Sequence, residues 1–139
     1  MKLCLLDTGP LVAFLDARDA QHARVADWLE TFNGRFLTTS AVVVEAMHLL
    51  GGTRRGPALL VEFLLESETE ITECTSPRIL VAASELMAQY ADTPADFADA
   101  TLVLLGTERR IQRIATLDRR GFRTYRTPKG KAFELVLDE

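Results

Sequence analysis

The chain predicts an α/β protein, a three-layer α/β/α sandwich around a central, mostly parallel sheet. Two observations carry that prediction. Short apolar runs of strand length recur along the sequence, and longer stretches with apolar side chains at three- and four-residue spacing separate them. Strands alternating with helices need crossover connections, which pair strands in parallel. The 139 residues show no repeat, low-complexity stretch or linker, so residues 1–139 read as one domain with its own core.

Lys2–Leu6 is apolar up to Asp7 and predicts a buried strand. Thr8-Gly9-Pro10 turns the chain, with Pro10 opening a helix over Leu11–Ala17. Asp19 caps a second helix that runs to Phe32, and Asn33-Gly34 ends it before a strand over Arg35–Thr38. Ser40 caps a helix from Ala41 to Leu50, stopped by Gly51-Gly52. After a turn at Thr53–Pro57 comes a helix over Ala58–Glu66. Glu70–Cys74 alternates acidic and apolar residues, as a strand would. Ser76-Pro77 then opens a helix to Tyr90, and Thr93-Pro94 opens another to Arg109. Ile111–Thr116, Phe122–Tyr125 and Phe133–Leu137 read as late strands.

Net charge is -4, with 16 basic and 20 acidic side chains, which argues against a simple basic nucleic-acid-binding module. The total conceals a split. Residues 1–108 carry -9, residues 109–131 carry +8, and the last eight carry -3. Such asymmetry points to a polyanionic or charged partner. The start of the chain lacks the apolar stretch of a secretion signal, and no run approaches the ~18 residues of a membrane helix. Cys4 and Cys74 form neither a disulfide framework nor metal-ligand spacing. These features lead us to expect a cytoplasmic protein without membrane association and with two small buried thiols.

Most of the acids lie on polar helix faces or in loops. Four do not. Asp7 and Asp118 each follow an apolar strand at its carboxyl end, where open α/β sheets bind ligands. Glu45 is flanked on its helix face by Ala41, Val42 and Leu49, and Asp99 by Ala95, Leu102 and Val103. A carboxylate facing a core is costly unless a cation compensates it. An arginine pair would serve any one of them, yet residues 36–108 hold Arg54, Arg55 and Arg78 alone. One divalent cation serves all four more economically. An all-oxygen set suits Mg²⁺ or Mn²⁺, and with His22 and His48 as the two histidines a His- or Cys-rich zinc site is disfavoured.

Asp96 has two readings. Thr93-Pro94-Ala95-Asp96 fits a capping box with Asp96 reaching back, and Asp96 also lies three residues before Asp99, on nearly the same face, in reach of the same metal. Thr8, Ser40 and Thr116 lie beside the acids and are placed to hydrogen-bond them. Glu45-x-x-His48 matches half of a di-iron bundle motif; with one such pair and strands elsewhere, that reading is set aside. Around Asp118 lie Arg109, Arg110, Arg113, Arg119, Arg120 and Arg123, followed by Arg126, Lys129 and Lys131. They form either a solvated face or a cationic rim for a phosphodiester held beside a metal.

Together Leu5-Leu6-Asp7-Thr8-Gly9-Pro10-Leu11, the mid-helix Glu45, Asp96-Phe97-Ala98-Asp99-Ala100 and Thr116-Leu117-Asp118 resemble the PIN-domain family, and within it the VapC-type ribonuclease toxins. The resemblance spans Leu3 to about Tyr125. It implies Mg²⁺- or Mn²⁺-dependent cleavage of RNA, with Asp7, Glu45, Asp99 and Asp118 as the four acids. It also implies a homodimer and a small DNA-binding antitoxin as partner. Many relatives carry a further acid just before the phenylalanine that follows the fourth one; here Gly121 precedes Phe122. One rival is a PIN-type module that binds RNA or protein without cutting. Another is a phosphoacceptor receiver domain, which needs a mid-chain strand lysine. The lysines here are Lys2, Lys129 and Lys131.

Overall fold

The structure, a computed structural model, describes residues 2–138. Five strands form one sheet in the order β3-β2-β1-β4-β5, with every strand pair parallel. They are β1 (Lys2–Leu6), β2 (Gly34–Thr39), β3 (Glu70–Thr72), β4 (Arg113–Ala115) and β5 (Glu134–Leu135). The helices are α1 (Thr8–Leu15), α2 (His22–Thr31), α3 (Ser40–Leu49), α4 (Gly56–Glu66), α5 (Pro77–Gln89), α6 (Phe97–Arg109) and α7 (Arg119–Thr124). A short 3-10 turn, Val136–Asp138, follows β5.

Alternation along β1 assigns its side chains to two faces. Leu6 packs with Leu11, Phe14, Val25, Trp28 and Phe63 from α1, α2 and α4. Leu5 points the other way, against Gly106 of α6, where an added Cβ would sit 3.0 Å from its Cδ1. Helices α5 and α6 pack on each other over that second face. Both faces are therefore covered, as a parallel sheet requires. Among the described residues no helix is long and apolar enough to cross a membrane. Cys4 and Cys74 are both buried, as expected.

Strand order reverses at β1: the chain runs outward through β2 and β3, then crosses back to place β4 on the other side. That topological switch opens a crevice at the carboxyl ends of β1 and β4.

Several boundaries differ from expectation. Asp19 does not cap α2; it accepts the Gln21 N–H within a turn, and the helix starts at His22. Helix α3 is capped by Thr39, one residue before Ser40, because the last residue of β2 already has extended geometry. Phe122–Tyr125 is not a strand. The edge beside β4 is taken by β5, and Gly121, Phe122 and Tyr125 are buried at helical spacing as part of α7 and its C-cap.

Candidate active site

Asp7 stands where β1 becomes α1. Its N–H still donates to the Ala115 carbonyl in β4's register at 3.0 Å, while its carboxylate caps α1 by accepting the Thr8 N–H at 2.8 Å. The Thr116 hydroxyl donates to the other carboxylate oxygen at 2.7 Å and accepts the Asp118 N–H at 3.0 Å. Thr116 thus ties the first acid to the last. The Thr8 hydroxyl is buried and has no hydrogen-bond partner among the described residues.

The other three aspartates on this crevice serve helix ends as well. Helix α6 opens with a reciprocal box in which Asp96 accepts the Asp99 N–H at 2.8 Å and Asp99 accepts the Asp96 N–H at 3.1 Å. The expected box on Thr93 is therefore displaced by three residues. Asp96 is the cap itself, and the Tyr125 hydroxyl, donating to the Pro94 carbonyl at 3.0 Å, pins the approach to it. Asp118 caps α7 by accepting the Gly121 N–H at 3.0 Å. Each of these three spends one carboxylate oxygen on backbone, and the Asp96 and Asp99 side chains also share a hydrogen bond that pushes Asp99 up.

Electrostatics shows which acids meet. Burial pushes Asp7 up to about 6 against its two hydrogen bonds, and Asp96 and Asp118 add repulsion. Asp99 is pushed up to about 8, first by burial, then by the charges of Asp7 and Asp96. Burial also raises the Tyr125 phenol, and Asp99, Asp118, Asp96 and Asp7 all push it further the same way. The fold therefore gathers Asp7, Asp96, Asp99 and Asp118 around one crevice with Tyr125 against it. Glu45 is not among the charges that act most on Asp7 or Asp99. It is half-buried and lines an adjoining, mainly apolar groove of about 680 Å³ together with His48, Phe97 and Asp96.

Among the described residues, no arginine, lysine or histidine pairs with any of these five acids. Nor do three of the acids, as they stand, close on a common point. The donor set still fits a hard cation: oxygens alone, in mutual repulsion, with the orphaned Thr8 hydroxyl beside them. A buried hydroxyl left unpaired costs about 1–3 kcal/mol.

Of the three hydroxyl residues expected beside the acids, Thr8 and Thr116 are there. Ser40 lines the groove with Glu45 and Asp96, but its hydroxyl lies 3.1 Å from the Cys74 thiol and accepts the Cys74 N–H at 3.2 Å, tying α3 to the segment after β3. The basic block divides. Arg109 and Arg110 end α6 and Arg113 begins β4, so all three lie at the amino end of the sheet, away from the acids. Arg109 pairs with Glu70 at 2.5 Å and Arg113 with Glu134 at 3.8 Å. Arg119, Arg120 and Arg123 lie on α7, directly after Asp118.

Two residues of the crevice were not among those expected. Tyr125 was read as a strand residue, although the burial period Gly121, Phe122, Tyr125 is helical and offered a signal. At Gly121 an added Cβ would lie 2.3 Å from Asp118 Oδ2 and 2.9 Å from the Tyr125 ring. The absence of a side chain there is what lets the Asp118 carboxylate fold back onto α7.

A parallel α/β domain with carboxylates gathered at the switch point of its sheet describes PIN domains. Residues 4–127 match the PIN domain family, and the chain belongs to it. It is similar to ribonuclease VapC26 of Mycobacterium tuberculosis, at 31% identity over 135 residues that cover 95% of this chain and 98% of the relative. Its fold resembles the crystal structure of Mycobacterium tuberculosis VapC20, described as a sarcin-ricin loop cleaving toxin. The TM-score is 0.75 at 19% identity, covering 85% of this chain and 91% of that one.

Proposed function

We propose that this protein is a Mg²⁺- or Mn²⁺-dependent endoribonuclease that hydrolyses RNA phosphodiester bonds. One observation carries the reading: a PIN-family chain gathers Asp7, Asp96, Asp99 and Asp118 at one crevice, with no basic side chain among the described residues to pair them. Likeness to ribonuclease VapC26 over nearly the whole chain supports the substrate class.

Asp7, Asp99 and Asp118 are the ligands for the cation, with Asp96 as a supplement and Glu45 reaching in from the adjoining groove. When bound, the ion supplies a water of lowered pKa and positive charge facing the phosphate oxygens. The residues of the chain do the positioning. Thr116 holds Asp7 and, through the Asp118 N–H, sets the start of α7. The Thr8 N–H fixes the other oxygen of Asp7, and its hydroxyl is free to hold a water. The reciprocal cap of α6 keeps Asp99 from turning away. Among the described residues no serine or cysteine is joined to a histidine and an acid, so attack by water, without a covalent intermediate, suits this chain.

The VapC-type motifs further support a toxin neutralised by a small DNA-binding antitoxin, in the cytoplasm. Val61 and Leu65 on α4 and Leu80 and Val81 on α5 are exposed apolar side chains suited to a second copy or that partner. A short upstream reading frame encoding a DNA-binding domain would bear the pairing out. The chemistry is tested by incubating the protein with a panel of transfer, ribosomal and messenger RNA in Mg²⁺, Mn²⁺ or EDTA. Cleavage that requires the metal and vanishes in Asp7→Asn is expected. RNA binding with no metal-dependent cutting anywhere in the panel would move the protein to the non-cutting class.

A further inference from the structure

Arg24 was not among the expected site residues, yet it completes a second arrangement beside the crevice. Three guanidinium groups converge on the carboxylate of Asp138. Arg119 Nε lies 2.8 Å from Oδ1 as an ion pair, Arg24 donates to the same oxygen at 3.3 Å, and Arg123 donates to Oδ2 at 3.0 Å. Arg24 also donates to the Leu137 carbonyl. Val136 and Leu137 are buried, which fixes the turn that carries Asp138.

Among the described residues one carboxylate meets three cations, and each guanidinium carries five N–H donors. Arg119 and Arg123 keep side chains 53% and 64% exposed, while that of Asp138 is 15% exposed. A phosphodiester presents the same pattern as this carboxylate: two oxygens sharing one negative charge, suited to forked guanidinium donors. Position matters too. Helix α7 has six residues, about 9 Å, and begins directly after Asp118. Arg119 and Arg123, four apart, share the face that meets Asp138.

We propose that Arg24, Arg119 and Arg123 form a subsite for a backbone phosphate of the RNA, flanking the scissile one, and that Asp138 fills this subsite in the free protein. The RNA phosphate displaces the carboxylate, so the C-terminal turn competes with substrate. The proposal rests on the reading of the protein as an RNA-binding nuclease, and it concerns binding, not the chemical step.

The test measures binding of a fluorescein-labelled, mixed-sequence single-stranded RNA 12-mer across a salt series without divalent metal. Asp138→Asn is expected to bind about threefold to tenfold more tightly at low salt and to steepen the salt dependence by about 0.7 per phosphate gained. Arg24→Gln is expected to weaken binding and flatten that slope. Glu134→Gln removes the same charge at the opposite end of the sheet, where it frees Arg113, and is expected to change neither quantity. Equal tightening in Asp138→Asn and Glu134→Gln would reduce the effect to net charge and overturn the subsite. An Asp138→Asn variant that binds as the parent does but melts lower would make Asp138 a structural clasp and would equally overturn it. Should Asp138→Asn not fold, Arg24→Gln decides: unchanged affinity and slope reject the subsite. Failure of the parent to cleave RNA, with these binding shifts intact, would overturn the nuclease reading and leave the subsite standing.

Discussion

The two ends of the sheet treat charge in opposite ways. At the amino end, Arg35 pairs with Glu68, Arg109 with Glu70 and Arg113 with Glu134, each ion pair on the surface. At the carboxyl end, Asp7, Asp96, Asp99 and Asp118 repel one another, and burial holds Asp7 and Asp99 above the ordinary carboxylate range. Among the described residues the acids of the carboxyl end have no basic side chain paired with them, whereas these surface arginines of the amino end do. The same difference divides the basic block, which is continuous in sequence but spread over both ends: β4 carries the chain from Arg113 across the sheet to Asp118 and α7.

The strongest way to break this comparison is Asp7→Asn. The asparagine keeps the size of the side chain and relieves a buried carboxylate, so the fold should hold or gain stability. RNA cleavage should fall by on the order of 100-fold or more, since the carboxylate proposed to hold the cation at the end of β1 is lost. Cleavage assays in Mg²⁺ beside thermal melts check both halves. Loss of activity accompanied by loss of fold would mean that Asp7 is structural.

Next in size is Gly121→Ala. The new methyl would lie 2.3 Å from Asp118 Oδ2 and 2.9 Å from the ring of Tyr125, which is itself buried edge-on against Phe122. Moving either costs about 1–3 kcal/mol. Turning Asp118 away should lower cleavage by about 10- to 100-fold, the range for displaced ligand support, and weaken the apparent affinity for Mg²⁺. Titrating cleavage against Mg²⁺ separates this from plain instability, which would lower the melting temperature without moving the metal midpoint.

A third test reads the burial and repulsion of the acids without any substrate. Asp7 and Asp99 both hold protons in the folded state that the unfolded chain gives up near 4, so raising pH favours the unfolded state. Stability of the metal-free protein should therefore fall between pH 4 and about 6 through Asp7, and on to about 8 through Asp99. The part of Asp7 amounts to about 3 kcal/mol once pH is above both of its values. Added Mg²⁺ should restore more stability at about pH 8 than at about pH 5, because the ligands must be ionised to bind it. Denaturant melts with EDTA or Mg²⁺ at both values check it; a metal-free stability flat across this range would remove the electrostatic case for the site.

How far these features were legible in the sequence depends on range. Asp7 and Asp118 could be placed because each follows an apolar run, and a strand end is a local property. Asp99 was legible from its apolar neighbours at helical spacing. Its cap partner was not, because Thr93 and Asp96 are equally good first residues and a distant contact from Tyr125 to Pro94 decides between them. Ser40 was placed beside Glu45, but its hydrogen-bond partner was hidden for a similar reason: Cys74 lies 34 positions away. Arg24 and Asp138, 114 positions apart, gave no local signal at all.

The basic block gives the smallest expected effect and the most direct check on reading charge from sequence alone. Arg109→Gln and Arg113→Gln each remove a cation that already has a carboxylate and that lies at the end of the sheet remote from the acids. Exposed pairs of this kind are worth about 0–1 kcal/mol, so melting temperatures should scarcely move. RNA affinity, its salt dependence and the cleavage rate should likewise match the parent, whereas the same change at Arg119 or Arg123 should be felt in all three. If Arg109→Gln weakened RNA binding as much as Arg123→Gln, the substrate would have to reach along α6 to the amino end. The division of the molecule into two ends that treat charge differently would then fail.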